Sequence, residues 1–118
     1  MNNDVEISKN ALILRLKRLA SSYEEQCASI EDFARWNLPA DIAEDWENID
    51  YFLKVLLQNG VLTAAEVAEF EQIDRNFADA SFGGATFDEA IWTHEGMQNH
   101  PFWHEQRLLA EKLLKILE

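Results

Sequence analysis

The sequence has little cysteine, proline, glycine or positive charge, and each shortage excludes something. A single cysteine, Cys27, leaves no internal disulfide to form and suits a reducing compartment. Two prolines, Pro39 and Pro101, give sparse punctuation, and the four glycines supply no phosphate-binding loop, because Gly83-Gly84 lacks a following Lys and Ser/Thr. No apolar run approaches the roughly 20 residues of a membrane span. The opening MNNDVEIS has no basic start, apolar core or cleavage site of a secretory leader, so the expected location is cytoplasmic. Lys and Arg number 10 against 22 Asp and Glu, a net charge of −12 that argues against direct contact with nucleic acid or an anionic membrane. The same imbalance keeps a protein soluble and steers cationic partners towards it. Strand-like alternation, internal repeats and low-complexity tracts are also missing.

What remains is a helical pattern with ample core. Over 118 residues, 47% apolar content with 11% aromatic supports one domain with a real interior. The clearest element is residues 41–60, where Ile42, Trp46, Ile49, Leu53 and Leu56 recur at helical steps and Asn59-Gly60 forms the stop. Before it, residues 1–8 read as a frayed lead-in. A helix follows from Ser8 as N-cap, with Leu12, Leu16, Leu19, Tyr23 and Cys27 on one face, bending or stopping near Ser29. Ser29-x-x-Asp32 restarts a short segment that Pro39 ends. After the central element, Thr63-x-x-Glu66 is a capping box opening a helix with Val67, Phe70, Ile73 and Phe77 inward and Glu69, Asp74 and Asp79 outward. Residues 81–85 read as a flexible connection. Thr86-x-x-Glu89 is a second box, opening a short helix through Trp92 until Gly96. Asn99 or His100 caps the last helix, Pro101 sits in its first turn, and Trp103, Leu108, Leu113, Leu114 and Leu117 face inward. The expected fold is all-α, a single-domain bundle of about five or six helices around the central one.

Charge is distributed unevenly. Residues 1–23 carry four basic and two acidic residues, whereas residues 24–50 carry one and nine, so two-thirds of the net excess lies in under a quarter of the chain. Acids enrich helix N-termini, where each complements the dipole by a few tenths of a kcal/mol. That role covers Glu31, Asp32, Asp41, Glu44 and Asp45, but it does not explain why residues 41–50 contain no Lys or Arg, since ordinary surfaces mix signs. The alternative is a docking face for something basic, formed by Glu31, Asp32, Trp36, Asp41, Glu44, Asp45, Glu47, Asp50 and Tyr51, with the aromatics at its edge as anchors. Trp46, in phase with the apolar stripe, belongs to the core.

Chemistry is harder to find. His94, His100 and His104 lie close in sequence, yet their spacing matches no zinc signature and Pro101 separates the last two from a regular i, i+4 pair. His100 as a cap, with His94 and His104 on the surface, accounts for all three. Cys27 sits in the inward phase of its helix, where a thiol serves as a small hydrophobe. No Glu-x-x-His pair suggests a di-metal bundle. Neither a cofactor nor catalysis is expected.

In size, acidity and helical pattern over its whole length the chain resembles the small all-helical immunity proteins that bacteria keep against their own secreted toxins. No residue motif carries the resemblance. It implies a basic toxin domain as partner, often a nuclease whose active site an acidic face can cover. Contrasting readings are an adaptor module, a nucleic-acid mimic, or a metal-dependent enzyme using the three histidines.

Overall fold

A computed structural model describes residues 3–28 and 38–118. Those residues form an all-α bundle with no strand among them. The helices are α1 (Asn3–Ala20), α2 (Tyr23–Ala28), α3 (Leu38–Glu44), α4 (Asp50–Gln58), α5 (Ala64–Ala80), α6 (His94–Asn99) and α7 (Pro101–Leu117), with a 3₁₀ turn at Glu89–Trp92. The described residues hold seven α-helices where five or six were expected of the whole chain, because two of the expected helices are broken.

The first break follows α1. That helix begins at Asn3, so residues 3–8 are helical rather than a frayed lead-in, and Ser8 is buried inside it instead of capping it. It ends at Ala20 because Ser22 starts a new helix: Glu25 N–H donates to Ser22 Oγ at 3.2 Å and Ser22 N–H donates to the Glu25 carboxylate at 3.3 Å. The last carbonyls of α1 are taken by buried Gln26, whose side-chain amide donates to Arg18 O and Leu19 O. Leu12, Leu16 and Leu19 are fully buried, each worth about 1.5–3 kcal/mol of transfer free energy.

The second break falls in residues 41–60, where a side chain from thirty residues upstream meets the backbone. In a continuous helix the Asp45 carbonyl would accept from Ile49 N–H. Here it accepts from Arg15 Nε at 2.7 Å. The backbone tightens instead, with Asp45, Trp46 and Glu47 N–H donating to Ile42, Ala43 and Glu44 three residues back. The helix therefore divides into α3 and α4 around a turn at 45–49. The apolar stripe nevertheless holds: Ile42, Trp46, Ile49, Leu53 and Leu56 are all buried. Gly60, at φ +74, provides the left-handed stop of α4. Pro39 lies in the first turn of α3, a position that needs no N–H, and the segment expected before it falls outside the described residues. The expected restart at Ser29-x-x-Asp32 falls outside the described residues.

The Thr63–Glu66 box forms as expected, at 3.1 and 2.8 Å, and Phe70, Ile73, Phe77 and Ala80 of α5 are buried. Asp74 and Asp79 are half-buried rather than fully outward. The Thr86–Glu89 box does not form. Thr86 N–H is committed to Asp79 O at 2.9 Å, Asp88 caps the 3₁₀ turn, and Thr93 caps α6, which runs through Gly96 rather than stopping there. His100 caps α7 by accepting from Phe102 N–H at 3.0 Å, with Pro101 in the first turn. Trp103, Leu113 and Leu117 are buried on α7, but Leu108 is 52% exposed. Five residues beyond Trp103 it stands about 140° round the helix, and Gln106 and Ala110 take the inward positions.

The most extensive packing is α1 against α7, with α4 lying next on α1. The bundle thus centres on the α1–α7 pair. Its far end is closed by Phe77, Trp92, Phe102 and Trp103, whose ring centroids lie 5.5–6.5 Å apart in edge and tilted pairs. Both indole N–H groups are satisfied, Trp92 to Ala80 O at 2.8 Å and Trp103 to Ile91 O at 2.7 Å. Those bonds tie the Ile91–Trp92 end of residues 81–92 to α5 and α7.

Candidate functional site

The acidic block does not behave as one unit. Glu31, Asp32 and Trp36 lie outside the described residues. Asp45 turns inward, where Arg18 Nη1 reaches both its oxygens at 2.9 and 3.0 Å. Burial still holds the Asp45 carboxyl above its ordinary value, more than Arg18 and Arg15 draw it down. Arg18 and Arg15 of α1 thus meet Asp45, one of the five acids in residues 41–50. Asp41 is half-buried with one carboxylate oxygen unpartnered. Of the two, Asp45 alone has a charged partner within the fold.

Glu44, Glu47, Asp50 and Tyr51 remain exposed. Their neighbours come from elsewhere in the chain. Glu71 and Asp74 on α5 join Glu47 and Asp50, and Asp74 is pushed above its ordinary value by burial first and then by the Asp50, Glu47 and Glu71 carboxylates around it. Tyr51 stands 58% exposed beside this face, its ring edge-on to Phe52 at 5.9 Å.

On the other side, Glu44 and Glu47 border a groove of about 420 Å³ between α3 and residues 81–92. Its lining is Ala40, Ala43, Glu44, Glu47, Ser81, Phe82, Phe87, Glu89 and Trp92. Phe82 is 91% exposed, with its ring edge-on to Phe87 at 5.5 Å. The tight turn that presents it is bonded from Gly84 N–H to Ser81 O and from Thr86 N–H to Asp79 O. Gly84 is required at that turn, since a Cβ there would collide with the Asp79 carbonyl. The groove thus combines aromatic surface with three carboxylates, and none of Glu44, Glu47 and Glu89 pairs with a Lys or Arg among the described residues. The expected docking residues did not include Phe82, Phe87 or Glu89. The signal for them in the sequence was two phenylalanines flanking a glycine turn without helical phase.

The three histidines separate. His94 Nδ1 lies 2.6 Å from Tyr23 Oη, His104 is exposed, and His100 uses Nδ1 as a cap acceptor while Nε2 contacts Asp88 at 3.2 Å. Asp88 is drawn below its ordinary value by the Ala90 N–H and then by His100. Among the described residues no three His, Cys, Asp or Glu side chains gather to hold a metal ion. Cys27 is half-buried beside Tyr23, whose hydroxyl is pushed upward by burial and then by the thiol. No helix of the described residues is long and apolar enough to cross a membrane. The chain matches no protein-family model, no curated protein and no solved structure.

Proposed function

We propose that this protein is a binding domain that docks a cationic protein partner, and that it acts as an immunity protein neutralising a basic toxin domain in the cytoplasm. One observation carries the reading. Glu44, Glu47, Asp50, Glu71, Asp74 and Glu89 converge from five segments of the chain, form no ion pair with Lys or Arg among the described residues, and adjoin exposed Phe82 and Tyr51. Carboxylates in that arrangement raise the encounter rate with a cation, and exposed aromatics beside them supply the desolvated anchors that prolong a complex. A surface serving only helix dipoles requires neither the convergence nor the aromatics.

The test is association kinetics with a basic toxin domain encoded beside this protein. The rate should fall about tenfold or more between low and physiological salt, and combined Glu44→Gln, Glu47→Gln and Asp50→Asn changes should slow it similarly at low salt. Rates indifferent to salt and to all three substitutions would refute docking through this face.

A further inference from the structure

We propose that the groove between α3 and residues 81–92 is a socket for one arginine side chain of the protein partner. The proposal rests on the docking reading above and adds what the partner presents: a guanidinium held at the rim by Glu44, Glu47 and Glu89, with its stem and planar face against Phe82, Phe87 and Trp92.

The lining selects the occupant. An uncharged apolar segment would fit the aromatic wall but would have to bury part of three carboxylates without a counter-charge, which is costly. A lysine would satisfy the charge, yet its compact, strongly hydrated ammonium makes poor use of aromatic faces. A guanidinium answers both, since it stacks on aromatic rings and forks onto carboxylates. The volume of about 420 Å³ is ample for one long side chain and the backbone that carries it.

The protein uses the same chemistry next door. Across the 45–49 turn, Arg15 stacks over Phe52 at 5.0 Å and Arg18 reaches both oxygens of Asp45. On the groove side the aromatics and carboxylates recur, and no Lys or Arg of the described residues reaches them. The wall is also preorganised. Trp92 is fixed through its indole N–H, and the turn carrying Phe82 is closed by backbone bonds, so little ordering remains for binding to impose.

The experiment is an NMR titration of the full chain with three blocked tripeptides, acetyl-Gly-X-Gly-amide, in which X is Arg, Lys or norleucine. The Arg peptide should give saturable shifts at the Trp92 indole N–H and the Phe82 amide with millimolar affinity. It should bind at least about threefold more tightly than the Lys peptide, and the norleucine peptide should not bind. Phe82→Ala, at a side chain almost wholly in solvent, and Glu44→Gln with Glu89→Gln should each abolish those shifts. Glu105→Gln with Glu111→Gln, exposed on α7 and outside the groove lining, should preserve them. Equal binding of Arg and Lys, binding of norleucine, or shifts centred on Asp50 and Asp74 would overturn the socket. A partner that still associates in a salt-dependent manner while the peptide misses the groove refutes the socket alone. Association indifferent to salt and to the Glu44, Glu47 and Asp50 substitutions refutes the docking reading whatever the peptide does.

Discussion

Removing Arg18 should reveal how the fold reconciles its opposed charges. Arg18 and Asp45 are 24% and 16% exposed at their side chains, and Nη1 lies 2.9 Å from the nearer oxygen. At an effective dielectric near 20 the gross attraction is roughly 4–6 kcal/mol. Desolvation offsets most of it, consistent with an Asp45 carboxyl that stays above its ordinary value despite two arginines. The pair as a whole is thus near neutral for stability, whereas one partner alone is not. Arg18→Met should cost about 2–3 kcal/mol, because a mostly buried carboxylate loses its main counter-charge. Asp45→Asn should cost about 1 kcal/mol or less, since the amide oxygen still accepts from Arg18. The double variant should fall short of the summed losses by about 1–2 kcal/mol. Urea unfolding followed by far-UV circular dichroism measures all four proteins, with unchanged m-values certifying a common unfolded state. A second signature is pH: because the Asp45 carboxyl is raised, the Arg18→Met penalty should shrink on acidification. A coupling below about 0.3 kcal/mol, or a penalty flat with pH, would refute the claim that Arg18 supplies the counter-charge of Asp45.

Leu53→Ala and Leu56→Ala, at positions 2% and 0% exposed, should each destabilise by about 2–5 kcal/mol in the same urea assay, and a loss under about 0.5 kcal/mol at both would remove α4 from the core. Melting temperature should rise as pH falls from 7, because Asp45 and Asp74 are raised in the fold, so the stability lost as they ionise is regained on descent towards their ordinary 3.8. Below that value the trend should reverse, since Asp88 is lowered in the fold and its contribution disappears as it protonates; a melting temperature falling steadily from pH 7 would contradict the assignment.

Much of the core was legible because its signal is local. The 41–60 stripe identified five buried residues correctly even though the helix is not continuous, since a tightened turn rotates the stripe too little to expose it. The Thr63 box and the His100 cap with Pro101 depend on residues within one turn, and both formed. The Ser22–Glu25 box was equally local; there the apolar phase through Tyr23 and Cys27 favoured a continuous helix and concealed a stop. The failures came from distant partners. Arg15 meets a carbonyl 30 residues away where α3 and α4 divide, and the Asp79 carbonyl prevents the Thr86 box by holding its N–H. The groove was unreadable for the same reason, as Glu44 and Glu47 meet Phe82, Phe87 and Glu89 only in the fold, where two indoles tie the Ile91–Trp92 end of residues 81–92 to α5 and α7.

The placement of the chain's few cations gives the acidic face its meaning. Arg15 and Arg18 serve Asp45, and Lys112 reaches Glu69 on an exposed flank. Arg107 is directed inward to neutral acceptors, Gln26 Oε1 at 3.0 Å and Met97 O at 2.7 Å, and burial lowers its pKa. A cation is thus committed to the interior of a protein with net charge −12, while the exposed carboxylates beside the groove have no basic partner among the described residues. That arrangement does not favour stability. Asp74 is held above its ordinary value by burial and then by the like charges of Asp50, Glu47 and Glu71, which Arg75 beside it on α5 offsets only in part. Carboxylates left in mutual repulsion are what the docking proposed above would use. An external cation would satisfy these carboxylates, and the aromatic groove at their edge favours one carried on a protein over a simple counter-ion.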